Sequence, residues 1–433
     1  YIRLMFVEKN LNYKNLKLII LFLILIVSFW RSPYIFFNGR FIGEEATHHF
    51  LYALENSFLK NLFYYDVFAG YINLLPNLLL WVSTKLPIEL APLATVYGSF
   101  FFIILLPYLC LFRESQFLDE ENKKIIASLI LFLSPPFVSE VWINSLNSQL
   151  YLCLISILIL FMKNLNNKTK LLNHTLLFLG GLSGVYTCGL LPLFVLKFFL
   201  DKSRYNLINI IILLTTSLTQ LSLIIYSKLN NALHSSVLEN DFSFDLLINF
   251  FYNIIAKSFL GRELTHLIWD KIFLIINHSY LVFFSLISFV FLTFIILKFK
   301  SIIIFIRNNY VLFNLIIIFL IISIIISLGS LGDQVGGRYA VIPGALLILC
   351  VLEILYKTTN SYLKSVSAIL LFISLIVGMY DFRPHYRYLK LLDCINCPDW
   401  KSEIKIWKSN KDHIIGIWPY PLKTLDLSNT KIN

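Results

Sequence analysis

Apolar residues gather in long runs separated by short polar stretches, at about 16 to 30, 91 to 112, 125 to 133, 150 to 162, 173 to 186 and 188 to 200. Further runs follow at about 207 to 226, 273 to 297, 310 to 329, 339 to 356 and 365 to 380. One helical crossing of the hydrocarbon needs about 20 apolar residues, so the pattern predicts an all-α polytopic membrane protein with about 11 transmembrane helices. Gly180, Gly181, Pro192 and Pro343 interrupt several runs, which widens the range to about 10 to 12 spans and admits a re-entrant pair. Leu16 to Trp30 follows a basic start at Arg3, Lys9, Lys14 and Lys17, and with no small-residue cleavage site behind it the run reads as a retained first helix. Segment 67 to 86 is broken by Asn73, Pro76, Asn77, Ser83, Thr84 and Lys85, and reads as an amphipathic helix on the membrane surface.

Charge orients this arrangement. With a cytoplasmic N-terminus, Lys and Arg crowd the short connections on one side, including Lys163, Lys168, Lys170, Lys197, Lys202, Arg204, Lys298, Lys300 and Arg307. The polar residues then fall on the other face, in a first outer loop at 31 to 90 and a further one at 227 to 272. The expected organisation is a transmembrane bundle over 1 to 380 and a small extracytoplasmic segment over 381 to 433, the latter a cap resting on the bundle.

Composition agrees with a bilayer as solvent. Of 433 residues, 58% are hydrophobic and 14% charged, and mean hydropathy is +0.75. The net charge of +11 is scattered between apolar runs instead of gathered on one face, which argues against nucleic acid as a partner. Cys110, Cys153, Cys188 and Cys350 sit in or beside apolar runs as small hydrophobes. Cys394 and Cys397 form Cys-Ile-Asn-Cys in the tail, where a local disulfide fits better than a zinc or thioredoxin-type site, because no second ligand pair or βαβ pattern accompanies it.

Candidate chemistry concentrates directly after the first helix. Glu44 and His48, like Glu45 and His49, are four apart and share a face on a helix, where they can pass a proton or hold a hydroxyl; the bland alternative is a solvated acidic turn. Asp66, between Tyr64-Tyr65 and Tyr71, is either a second acid or a solvated residue in an aromatic belt, and Glu140 is either a cavity group or a loop cap. The Gly-rich stretch from Gly329 to Tyr339 carries Arg338 just before an apolar helix and suits a phosphate, with Arg338, Tyr339 and Arg262 as candidate phosphate ligands; a tight connection with an interfacial Arg is the plain reading. No residue set demands a metal, although a divalent ion is compatible with the acidic loop.

An acidic pair straight after the first helix, a long first outer loop with surface helices and then many spans together resemble the C-type (GT-C) superfamily of integral membrane glycosyltransferases. Gly70 to Pro76, followed by Leu86-Pro87 and Ala91-Pro92, is similar to the Pro-containing surface helix leading into that family's second span, and Gly336 to Tyr339 to a late phosphate-side loop. The family's acidic pair usually runs Asp-Glu and here reads Glu-Glu. The resemblance implies a catalytic carboxylate at Glu44 or Glu45, a polyprenyl-phosphate sugar donor, a glycan, lipid or protein acceptor, and a multi-pass location in a bacterial inner membrane with the C-terminus extracytoplasmic. Rival readings are a transporter or flippase of lipid-linked sugars, an O-antigen-type polymerase or ligase working through Arg262 and Arg338, and a structural scaffold.

Overall fold

The computed structural model describes residues 2–137, 141–163, 165–230, 251–276, 309–329, 337–383, 399–418 and 423–428. Helix α1 (Ile2–Arg31) turns Leu18, Ile19, Phe22, Leu23 and Ile26 outward, as a helix bordering lipid does. Two short stretches then cross the end of the bundle: α2 (Pro33–Asn38), and a π turn at Glu45–Phe50 that runs into α3 (Leu51–Glu55). Next come α4 (Phe58–Leu62), the paired β1 (Tyr65–Asp66) and β2 (Tyr71–Ile72), and α5 (Leu74–Ser83). With ten residues α5 is about 15 Å long, short of a crossing, and six of its side chains are buried.

The bundle proper begins with α6 (Pro92–Phe112), which packs on α7 (Glu121–Leu133) and α8 (Ser148–Phe161). Every residue of α8 from Leu150 to Phe161 is buried, which is why that helix has no polar stripe: it is the central post and meets neither water nor lipid. Beside it α9 (Asn167–Leu182) packs along α11 (Arg204–Leu229), with α10 (Leu191–Leu200) between them in sequence. Beyond α12 (Lys257–Ile276) and α13 (Tyr310–Gly329), α14 (Val341–Lys357) lies against α13 and α15 (Ser361–Asp381). Helix α16 (Trp400–Ser409) and the antiparallel hairpin β3 (Ile415–Ile417) and β4 (Lys423–Leu425) form the cap.

Among the described residues five helices are long and apolar enough to cross a membrane: Tyr13–Arg31, Ile88–Phe112, Arg204–Leu229, Arg338–Lys357 and Ser361–Asp381. The stretches Leu74–Ser83, Ser145–Phe161, Cys188–Leu200 and Tyr310–Ile326 are apolar but shorter. The membrane character read from the sequence holds, while the finer count of about 11 crossings does not follow from these lengths. Helix α9 ends at Leu182 and α10 starts only at Leu191, beside Pro192, so two neighbouring runs become helices of 16 and 10 residues. Residues 277–297 of another run lie outside the described residues.

The connections gather at two ends. At one, Lys163 N–H donates to the Glu114 carbonyl (3.0 Å), Lys357 meets Asp119 (2.6 Å), and the buried Lys123 ammonium lies 2.6 Å from Glu353. At the other, the segments 31–91, 141–147, 183–190, 337–340, 399–418 and 423–428 meet. Among the described residues the cap shares its core with the first loop. Trp400, Ile404, Trp407, Ile415, Ile417 and Leu425 pack with Phe41, Ala46, Phe50, Leu80 and Ala91 of the first loop in one apolar cluster. Trp400 donates its indole N–H to the Ile88 carbonyl (2.8 Å), and Asp399 is joined to Tyr34.

Candidate functional site

The acidic pair is positioned by a turn and an irregular helix. Gly43 adopts φ +47°, which favours glycine, and its N–H donates to the Trp418 carbonyl (2.7 Å), tying the turn to the cap. The chain then winds through the π turn at Glu45–Phe50, whose hydrogen bonds close at i+5. Residues four apart are therefore no longer stacked, and neither expected pairing forms through hydrogen bonds: Glu45 is not bonded to His49, nor Glu44 to His48.

Glu45 and Glu44 part company. The Glu45 carboxylate is buried and accepts from Ile42 N–H (2.9 Å) on one oxygen and from Ser145 N–H (2.8 Å) and Ser145 Oγ (2.5 Å) on the other. Burial pushes its pKa up to about 7, against the pull of these donors. It clamps the 141–147 segment onto the first loop. That segment is delivered by Ile143 at φ +49°, strained for a β-branched residue. The neighbouring Glu44 is half-exposed, and its Oε1 lies 3.2 Å from Lys423 Nζ of the cap hairpin. Partial burial works to raise its pKa but is outweighed by a backbone hydrogen bond, Lys423 and, at longer range, Arg338, so Glu44 sits below the usual carboxylate range.

Arg338, in the turn that leads into α14, lies within electrostatic range of Glu44, and Tyr339 beside it acts on Tyr71. Arg338 Nη2 donates to Tyr339 Oη (3.4 Å), and the guanidinium acts electrostatically on both Glu44 and Tyr71. His48, partly exposed, lies with Nδ1 3.3 Å from Asp66 Oδ2, and that contact raises its pKa. Asp66 accepts from Phe68 N–H (2.9 Å) through its other oxygen, and is held low by His48 and this bond despite its own partial burial. His49 is buried, with Nδ1 2.8 Å from Asn77 Oδ1, and burial lowers its pKa. Asn77 spends its amide hydrogens on the Leu62 (3.2 Å) and Tyr64 (2.7 Å) carbonyls, so its oxygen must accept from His49 Nδ1–H. His49 is thereby a neutral strut between α5 and the π turn.

Other expected residues stand apart. Arg262 is exposed on α12, just past the non-helical Gly261 and within electrostatic range of Lys257, and none of the described contacts links it to Glu44. Glu140, Cys394, Cys397 and the 330–336 part of the Gly-rich stretch lie outside the described residues. Among the described residues no group of three or more His, Cys, Asp or Glu side chains is placed to hold a metal ion. A cleft of about 550 Å³ opens between α3, the 83–89 turn and α16, lined by Asn56, Lys85, Glu89, Trp407, Lys408 and Lys411 among others, but neither Glu44 nor Glu45 lines it.

Sequence reasoning missed Lys423, Ser145 and the role of Asn77. Asn77 was visible as a polar break in an apolar segment, whereas Lys423 and Ser145 carry no local signal, standing 379 and 100 residues from their partners. No family model, curated protein or solved structure matches this chain.

Proposed function

We propose that the chain is a membrane glycosyltransferase that moves a sugar from a polyprenyl-phosphate donor to an acceptor hydroxyl, with Glu44 as general base. The observation that carries this reading is a half-exposed carboxylate at one end of an apolar bundle, with Lys423 against it and Arg338 within electrostatic reach. Glu44 takes the proton of the acceptor hydroxyl, the hydroxyl oxygen bonds to the sugar's anomeric carbon, and the bond from that carbon to the donor phosphate breaks with its electron pair leaving on the phosphate. Arg338 and Tyr339 steady the departing charge, which is where fixed donors act most strongly. Glu45, with its oxygens already engaged, serves to hold the loop.

The second reading is a flippase of lipid-linked sugars, for which the buried ion pair of Lys123 and Glu353, at the end of the bundle opposite Glu44, is the observation in favour. The test separates the two. Mass spectrometry of lipids extracted from the purified protein should find a polyprenyl-phosphate sugar. Glu44→Gln should keep that lipid while abolishing sugar transfer from it, with Glu44→Asp partly active. Undiminished transfer by Glu44→Gln at normal protein levels refutes the assignment.

A further inference from the structure

We infer that Lys423 and Glu44 form a resting ion pair that a lipid-borne phosphate opens, Lys423 exchanging the carboxylate for the phosphate oxygens and leaving Glu44 free. The inference rests on Glu44 being the base, and adds a working part supplied by the far end of the chain.

The backbone around the pair is fixed while the pair itself is not. Lys423 starts β4, opposite Ile417 in the hairpin register, and Ile415, Ile417 and Leu425 anchor that hairpin in the cluster shared with the first loop. The Gly43 N–H to Trp418 carbonyl bond and the bridge from Ile42 to Trp418 staple the hairpin to the residues just before Glu44. By contrast, the Lys423 and Glu44 side chains are 38% and 44% exposed, in a setting where water screens an ion pair and little holds it closed. The phosphodiester of a lipid-linked sugar matches a carboxylate in charge and terminal oxygens and can engage two cations at once, and Arg338 already adds a second cation on this side.

The exchange also suits the chemistry. While Lys423 is in place it stabilises the ionised carboxylate and weakens it as a base. Once the ammonium turns to phosphate, the burial that raises Glu44's proton affinity is opposed by one charge fewer. Donor binding and base release thus become one event, and a Glu44 carboxylate without donor stays quenched.

Binding of undecaprenyl phosphate to the full-length protein in nanodiscs, with undecaprenol and inorganic phosphate as comparison probes, tests this directly. Lys423→Met should weaken undecaprenyl phosphate about tenfold and leave undecaprenol unchanged, while Lys423→Arg keeps most of the affinity. Glu44→Gln should tighten undecaprenyl phosphate severalfold by removing the competing carboxylate, and this gain should vanish in the double variant Glu44→Gln/Lys423→Met. Wild-type affinity in a monodisperse Lys423→Met protein, or weaker binding in Glu44→Gln, overturns the exchange. Inorganic phosphate binding as tightly as the lipid overturns its lipid-borne part. The transferase reading fails separately, through persisting transfer in Glu44→Gln, whatever the binding series shows.

Discussion

Glu45→Gln is the substitution whose consequence can be worked furthest. In the folded chain burial lifts the Glu45 pKa from 4.5 to about 7, so the native state binds this proton more tightly than the unfolded chain does. The sign follows: the contribution is fully present below pH 4.5 and is lost as pH rises toward about 7, with a span on the order of 3 kcal/mol. When protonated, the carboxyl donates to Ser145 Oγ and keeps its other oxygen for Ile42 N–H; when ionised, it is a buried charge held by three donors and no cation. Gln has no proton to lose. Either way its amide is turned, the NH2 group confronts a backbone N–H, of Ile42 or of Ser145, which costs about 1–3 kcal/mol. Thermal unfolding of the detergent-solubilised protein, followed by tryptophan fluorescence between about pH 5 and about pH 8, should show wild type gaining stability toward acid. Glu45→Gln should be less stable at about pH 5 and approach wild type toward about pH 8, its own profile lacking the Glu45 component. Since His48 keeps its contact with Asp66 in both proteins, its contribution cancels and the difference between the two profiles is the diagnostic quantity. A difference that does not change with pH would refute the reasoning.

The opposite end of the bundle supplies a second experiment. Lys123→Met should cost about 3–5 kcal/mol in stability because it strands the buried Glu353, whereas Lys123→Met/Glu353→Leu should recover most of it, as a chemical-denaturation series would register. Gly378→Ala sets a Cβ 1.7 Å from the Leu133 carbonyl oxygen, a backbone atom that cannot swing aside, so α15 must move from α7, and a lower unfolding temperature and faster proteolysis beyond Asp381 are expected. Trp400→Ala empties the centre of the shared cap cluster, at about 3–5 kcal/mol, and should make residues 399–428 protease-sensitive while the bundle still unfolds near its usual temperature.

The surroundings of Glu44 are half legible in the sequence. Glu44, His48 and Asp66 were found because polar residues on a long loop beside an apolar helix stand out against the rest of the chain. Arg338 stands out through a Gly-rich approach to a helix start, and it lies within electrostatic range of Glu44. The helical pairing of Glu with His failed because the reading assumed 3.6 residues per turn where the chain forms a π turn. Nothing in the pair Glu44-Glu45 tells which carboxylate is enclosed, since that depends on a Ser 100 residues later in the chain.

Hydropathy by itself determined that this is a helical protein for a bilayer, because burying apolar runs in lipid requires no knowledge of which run meets which. It also marked the stretches where polar residues gather. Which helices are long enough to cross, and that α8 is enclosed by protein instead of lipid, only the packed bundle decided. The burial of Glu45 and the exposure of Glu44, and the arrival of Lys423 beside one of them, belong to the tertiary structure too. Both are set by contacts between segments far apart in sequence, and such contacts leave no periodicity or spacing for a linear reading to detect.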